Sequence, residues 1–168
     1  MAITTETILD PSIDRRLAID IDAAENDELE AYQDSRGNWT AGRGHLLPPA
    51  APGRSWQGFT VIQSTSDKWF TTDILSAMAF AKKLPEYDSC DTDCRRNALT
   101  ELCFNMRGKW EKWTPTRTLI TEQNWQGVHD HLLASLWAKE VQPHGFDKPG
   151  RATRIANYFL RGEYPNGT

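Results

Sequence analysis

Glu25, Asp34 and Thr40 are the residues of this chain whose types and spacing could do chemistry. Eight residues lie between Glu25 and Asp34, five lie between Asp34 and Thr40, and Gly42-Arg43-Gly44-His45 follows. Cleaving a sugar acetal needs a proton donor for the leaving oxygen and a second carboxyl group of different character. An acid at the end of a helix, facing an Asp and a Thr on a hairpin, would supply both. A carboxylate beside a hydroxyl suits a held water, hence single displacement with inversion, which requires carboxyl groups roughly 6.5–9.5 Å apart. The same three residue types are common on surfaces, and their bare spacing also arises by chance. The glycines admit two readings, close approach of the chain to a ligand or a plain strand kink.

The elements that would position these residues are readable nearby. Asp10-Pro11 has the form of an N-cap with a first-turn proline, and Ile13, Leu17, Ile21 and Ala24 recur at helical spacing up to Asn26, which puts Glu25 at the end of a helix. Residues 29–47 alternate loosely around Asp34-Ser35-Arg36-Gly37-Asn38, turn chemistry between two short strands. Residues 46–58 are rich in Pro, Ala and Gly and predict a loop. Ser64-Thr65-Ser66-Asp67 resembles a capping box, and Phe70, Ile74, Met78 and Ala81 continue a connecting helix that stops before Pro85. Four further helices are expected: 93–106 with Ala98, Leu99, Leu102 and Met106 inward, a short one from Thr114-Pro115, 125–137, and 150–161 ending at Gly162. Trp110, Trp113, Trp125 and Trp137 fall to packing within this helical part.

With 168 residues and 39% hydrophobic content, the chain suits one domain, perceived as two lobes. Residues 1–90 carry 8 Lys/Arg against 14 Asp/Glu, and residues 91–168 carry 11 against 9, giving −4 overall. That excludes a concentrated basic face for nucleic acid. No run is apolar enough for stable membrane insertion, and the N-terminus has neither the basic nor the apolar region of a secretion signal, so synthesis as a soluble cytoplasmic chain is expected. Three cysteines, Cys90, Cys94 and Cys103, argue against a disulfide framework. Buried thiols are favoured over a metal site, and no metal or cofactor is expected.

Residues 25–47 resemble the catalytic segment of the T-even-type phage lysozymes, the endolysin muramidases. Glu25, Tyr32, Asp34, Gly37, Thr40, Gly42, Gly44, His45, Leu46 and Leu47 are in register without a gap. The likeness continues through Phe70-Thr71-Thr72-Asp73, Arg95-Arg96, Phe104-Asn105-Met106, Trp113-Thr114 and Pro149-Gly150-Arg151 to Arg161-Gly162. It implies an α+β, lysozyme-like fold of two lobes, a hairpin lobe (27–64) and a helical lobe (12–26 and 65–168) joined by a long helix. It implies hydrolysis of the β-1,4 bond between N-acetylmuramic acid and N-acetylglucosamine in peptidoglycan glycan strands, by a monomer acting in the periplasm after membrane permeabilisation, for host lysis. Glu25 would be the general acid, with Asp34 and Thr40 positioning the water. Arg151 would pair with Glu25, and His45 with Asp73. Leu46, Phe104, Thr116 and His131 fall where the family lines its sugar-binding cleft. His131 replaces the family's usual Asn, and periodicity alone gives Phe104 to the core. Family members are often basic, whereas this chain is acidic, so electrostatic steering toward an anionic wall should be weak. A noncatalytic peptidoglycan-binding or virion structural module with the same fold is the alternative.

Overall fold

The computed structural model describes residues 10–34, 37–106, 108–141 and 150–165. Ser35 and Arg36 of the expected turn, and Pro149 ahead of Gly150-Arg151, lie outside the described residues. The chain divides into two compact units, Met1–Ser76 and Ala77–Thr168. Among the described residues there are eight α-helices and one three-stranded antiparallel sheet, which is the expected α+β class.

In the first unit, α1 spans Arg15–Asp22 and starts four residues later than the Asp10-Pro11 pair suggests. The Asp10 carboxylate accepts instead from the backbone N–H and hydroxyl of Ser12, and its carbonyl from Ile13 N–H. Such a local turn competes with helix entry. Asp14 is the cap, accepting from the N–H groups of Arg16 and Leu17. Strand β1 (Asp27–Gln33) pairs with β2 (Trp39–Arg43), which pairs with β3 (His45–Leu46), so β2 is central. The loop expected over 46–58 begins only after Leu46, which β3 takes by pairing with Thr40, and it is closed by the Trp56 indole donating to the Pro48 carbonyl at 2.7 Å.

Helix α2 runs Gln63–Ala81. Ser64 and Asp67 therefore lie within its first turns rather than forming a capping box, because Asp67 and Ser66 are engaged elsewhere: Asp67 takes Arg43, and the Ser66 hydroxyl donates to Asp27. The boundary between the units falls inside this helix. The apolar cluster of the sheet is small: Ala31, Ala41, Leu47 and Val61, with Leu29, Trp39, Trp56 and Trp69 against it.

In the second unit a short helix that the sequence reading did not anticipate, α3 (Pro85–Ser89), follows at once, with Pro85 in its first turn. Helix α4 spans Asp93–Met106 as expected, and its Ala98, Leu99, Leu102 and Met106 are buried. After a single 3₁₀ turn (Trp110–Lys112) comes α5 (Thr114–Thr121). The expected helix 125–137 is two, α6 (Trp125–Ala134) and α7 (Leu136–Val141). Ser135 breaks it: its backbone is extended, its hydroxyl donates to the Leu132 carbonyl, and the same oxygen accepts from Ala138 N–H. Helix α8 (Arg151–Arg161) ends at Gly162, whose φ of 71° is the left-handed cap.

These helices enclose one apolar core around α4, including Trp110, Ile120, Leu132, Trp137, Ile155 and Phe159. Trp113 packs edge-on against Trp137 and Trp125 stacks on Phe159, the packing role expected of the tryptophans. All three cysteines are free and buried. No helix among the described residues is long and apolar enough to cross a membrane, and no cluster of three potential metal ligands occurs among them.

Candidate active site

Glu25 follows α1 in the four-residue link before β1, one turn beyond the helix rather than in it. Its backbone N–H donates to the carbonyls of Ile21 and Asp22, at 3.1 and 3.3 Å, so the link continues the helix's last turn and carries Glu25 with it. The side chain is partly exposed.

Asp34 directly follows β1 and Thr40 lies in β2, and Asn38, in the turn between the strands, ties them together. Asn38 donates its N–H to one Asp34 carboxylate oxygen at 2.8 Å and its side-chain amide to the other at 3.0 Å. The Asn38 carbonyl accepts both the Asp34 N–H, at 2.9 Å, and the Thr40 hydroxyl, at 3.2 Å. With its proton directed to Asn38, the Thr40 oxygen keeps its lone pairs for accepting. Each oxygen of Asp34 receives a donor from Asn38. Thr40 sits opposite Tyr32 on β1 and opposite Leu46 on β3, so the three side chains share one face of the sheet. Leu46 is 47% exposed there, an apolar side chain offered to solvent beside a buried hydroxyl.

His45, on the next residue of β3, pairs as expected with Asp73 of α2: Nδ1 lies 2.9 Å from the carboxylate and the ring stacks on Trp69 at 4.3 Å. Sheet and helix are thereby joined near the hairpin. A second polar network went unnoticed in the sequence. Arg43, buried at the end of β2, contacts Asp22, Asp27 and Asp67 at 2.7, 3.4 and 2.6 Å. Burial pushes the Asp27 carboxyl up, but the Ser66 hydroxyl, the Gln63 amide and the Arg43 charge outweigh it, and its pKa ends below the ordinary carboxylate value.

In the second unit Thr116 has no exposed surface, and its hydroxyl lies 2.9 Å from Nδ1 of the partly buried His131. Of this pair His131 is the member accessible to a ligand. Phe104 is 5% exposed. Arg151 donates from Nε to the buried Glu101 at 3.1 Å, and Arg154 reaches the same oxygen at 2.6 Å.

The model of the phage lysozyme family matches residues 22–153, most of the chain and all of the candidate residues. The chain belongs to the phage lysozymes, glycoside hydrolases that act as muramidases on peptidoglycan.

Proposed function

We propose that the protein is an endolysin that cleaves the β-1,4 bond between N-acetylmuramic acid and N-acetylglucosamine by a single displacement, with Glu25 as general acid and with Asp34 and Thr40 holding the attacking water. The observation that carries this reading is the shared anchorage of Asp34 and Thr40 on Asn38. A water placed between them donates one hydrogen to each oxygen and keeps a lone pair for the anomeric carbon. As the glycosidic bond breaks, Glu25 protonates the leaving oxygen and Asp34 takes the proton of the water. The product then carries the inverted, α configuration.

Leu46 and His131 are the sugar-contacting residues in this reading. Thr116, without exposed surface, acts through His131; Phe104, which the resemblance also places along the sugar-binding cleft, is 5% exposed and too buried to be the main contact, and Arg151 holds the supporting place that the resemblance implies. Membership in an enzyme family, together with the presence of Glu25, Asp34 and Thr40, weighs against a noncatalytic module. Because peptidoglycan lies beyond the cytoplasmic membrane, lysis of the host from within requires a separate permeabilising activity. The protein works as a monomer on glycan strands.

The test is Glu25→Gln against purified sacculi, followed by release of reducing ends, with folding checked by circular dichroism. Loss of a general acid costs about 10²–10⁴-fold. Near wild-type turnover would remove Glu25 from that role, and a β anomer appearing first by NMR would exclude the single displacement.

A further inference from the structure

Arg43 stands between two glycines, in a position where chain flexibility is the obvious theme, yet it is paired with three carboxylates. Only 4% of its side chain is exposed. Its guanidinium reaches carboxylates from three elements: Asp22, the last residue of α1; Asp27, the first of β1; and Asp67 in the first turns of α2. The Phe70 ring lies 5.2 Å beneath it. Asp27 is held further by the Ser66 hydroxyl at 2.6 Å and the Gln63 amide at 2.7 Å.

Asp22 and Asp27 are the two ends of the link that carries Glu25. One buried cation therefore clamps both ends of a segment only four residues long, and the Glu25 N–H is bonded to the carbonyl of the clamped Asp22. We propose that Arg43 is a positioning residue that fixes the Glu25 backbone for catalysis by pinning Asp22 and Asp27 together. This rests on Glu25 being the general acid.

Holding the sheet to α2 does not require a cation. Buried ion networks can often be replaced by apolar groups of similar volume without loss of stability. What only a planar forked cation does is hold two carboxylates at once at fixed separation. Removing it leaves Asp22 and Asp27, both mostly buried, to repel each other across the link. Displacing a catalytic group by about 1 Å can cost around 10²-fold in rate.

The experiment compares wild type, Arg43→Met, Arg43→Lys, Asp22→Asn and Asp67→Asn on purified sacculi, taking kcat and apparent KM at a temperature where each is folded by circular dichroism. Glu25→Gln is run in parallel. Asp67 binds Arg43 from α2 and touches neither end of the link, so Asp67→Asn should lower the unfolding midpoint and leave kcat near wild type. Arg43→Met and Asp22→Asn should lower kcat by about 10²-fold with KM little changed, and Arg43→Lys should restore part of the loss. Should Arg43→Met fail to fold, Asp22→Asn and Arg43→Lys decide. Wild-type kcat in Asp22→Asn, or kcat losses in Asp22→Asn and Asp67→Asn that simply track lost stability, would overturn the positioning role while an inactive Glu25→Gln leaves the acid assignment standing. An active Glu25→Gln would instead overturn the acid assignment itself.

Discussion

A single methyl group placed on Gly42 should be among the most damaging small changes in the first unit. Gly42 has a φ of 60°, the left-handed region, and a Cβ built there would lie 2.6 Å from the Ser66 hydroxyl oxygen and 3.1 Å from Ser66 Cβ. Two costs add. Left-handed backbone costs an L-residue about 1–2 kcal/mol. The Ser66 hydroxyl must rotate away, giving up its bond to the Asp27 carboxylate, and a hydrogen bond to a charged group contributes about 1.5–3 kcal/mol. Gly42→Ala should therefore destabilise by about 3 kcal/mol, which at a urea m-value of ~2 kcal/mol/M lowers the midpoint by roughly 1.5 M. Ser66→Ala alone loses only the hydrogen bond. Because that bond can be lost only once, Gly42→Ala with Ser66→Ala should cost less than the sum of the single changes. Urea titration followed by circular dichroism measures all three. A Gly42→Ala midpoint equal to wild type would refute the close approach of β2 to α2, and strict additivity would refute the shared bond.

Two further outcomes follow from buried titratable groups. Asp27 has a depressed pKa, so its share of stability is fully present above the unfolded carboxylate value of about 3.9 and is lost as pH falls through the lower folded value; Asp27→Asn should flatten the acid side of a plot of unfolding midpoint against pH, and an unchanged acid limb would count against the network. Burial pushes the thiols of Cys90 and Cys103 up to about 12, so a thiol reagent at pH 8 should leave both unlabelled in the native protein and label them once urea unfolds it, whereas rapid native labelling would contradict their burial.

Much of the site was legible because it is local. Glu25, Asp34, Thr40, the glycines and His45 lie within one stretch of chain, and turn chemistry at 34–38 places the hairpin around them. Helix α4 was legible end to end, since its apolar spacing is uninterrupted and the core takes that face. What escaped were contests settled by a single polar side chain: Asp10 turning on Ser12, and Ser135 dividing α6 from α7. The short helix α3 escaped because five residues carry too little periodicity to register. The Arg43 network escaped for a different reason. Its partners Asp22 and Asp67 lie 21 and 24 positions away, and no local pattern marks them.

The two units are held by different physics, and the difference bears on where function is vulnerable. The second unit has a continuous apolar core, whose attraction is strong but without preferred direction. The first buries Leu17, Ala18, Ile21, Phe70 and Ile74 on its helices, but its sheet cluster is only Ala31, Ala41, Leu47 and Val61, too little to lock a hairpin by itself. It is joined instead by directional contacts: Asn38 to Asp34 and Thr40, His45 to Asp73, Ser66 and Gln63 to Asp27, Arg43 to three carboxylates. Hydrogen bonds and ion pairs contribute modestly to net stability but fix position and angle, and acid–base chemistry depends on both. Substitutions that reach Asn38 or the Asp22 end of the link should thus act first on rate, whereas those at Asp67, at Ser66 and in the helical core should act first on stability. Acid should reach the first unit through Asp27, whose pKa, despite burial, is held below the ordinary carboxylate value by Ser66, Gln63 and Arg43, so its contribution is lost as pH falls through that lower value.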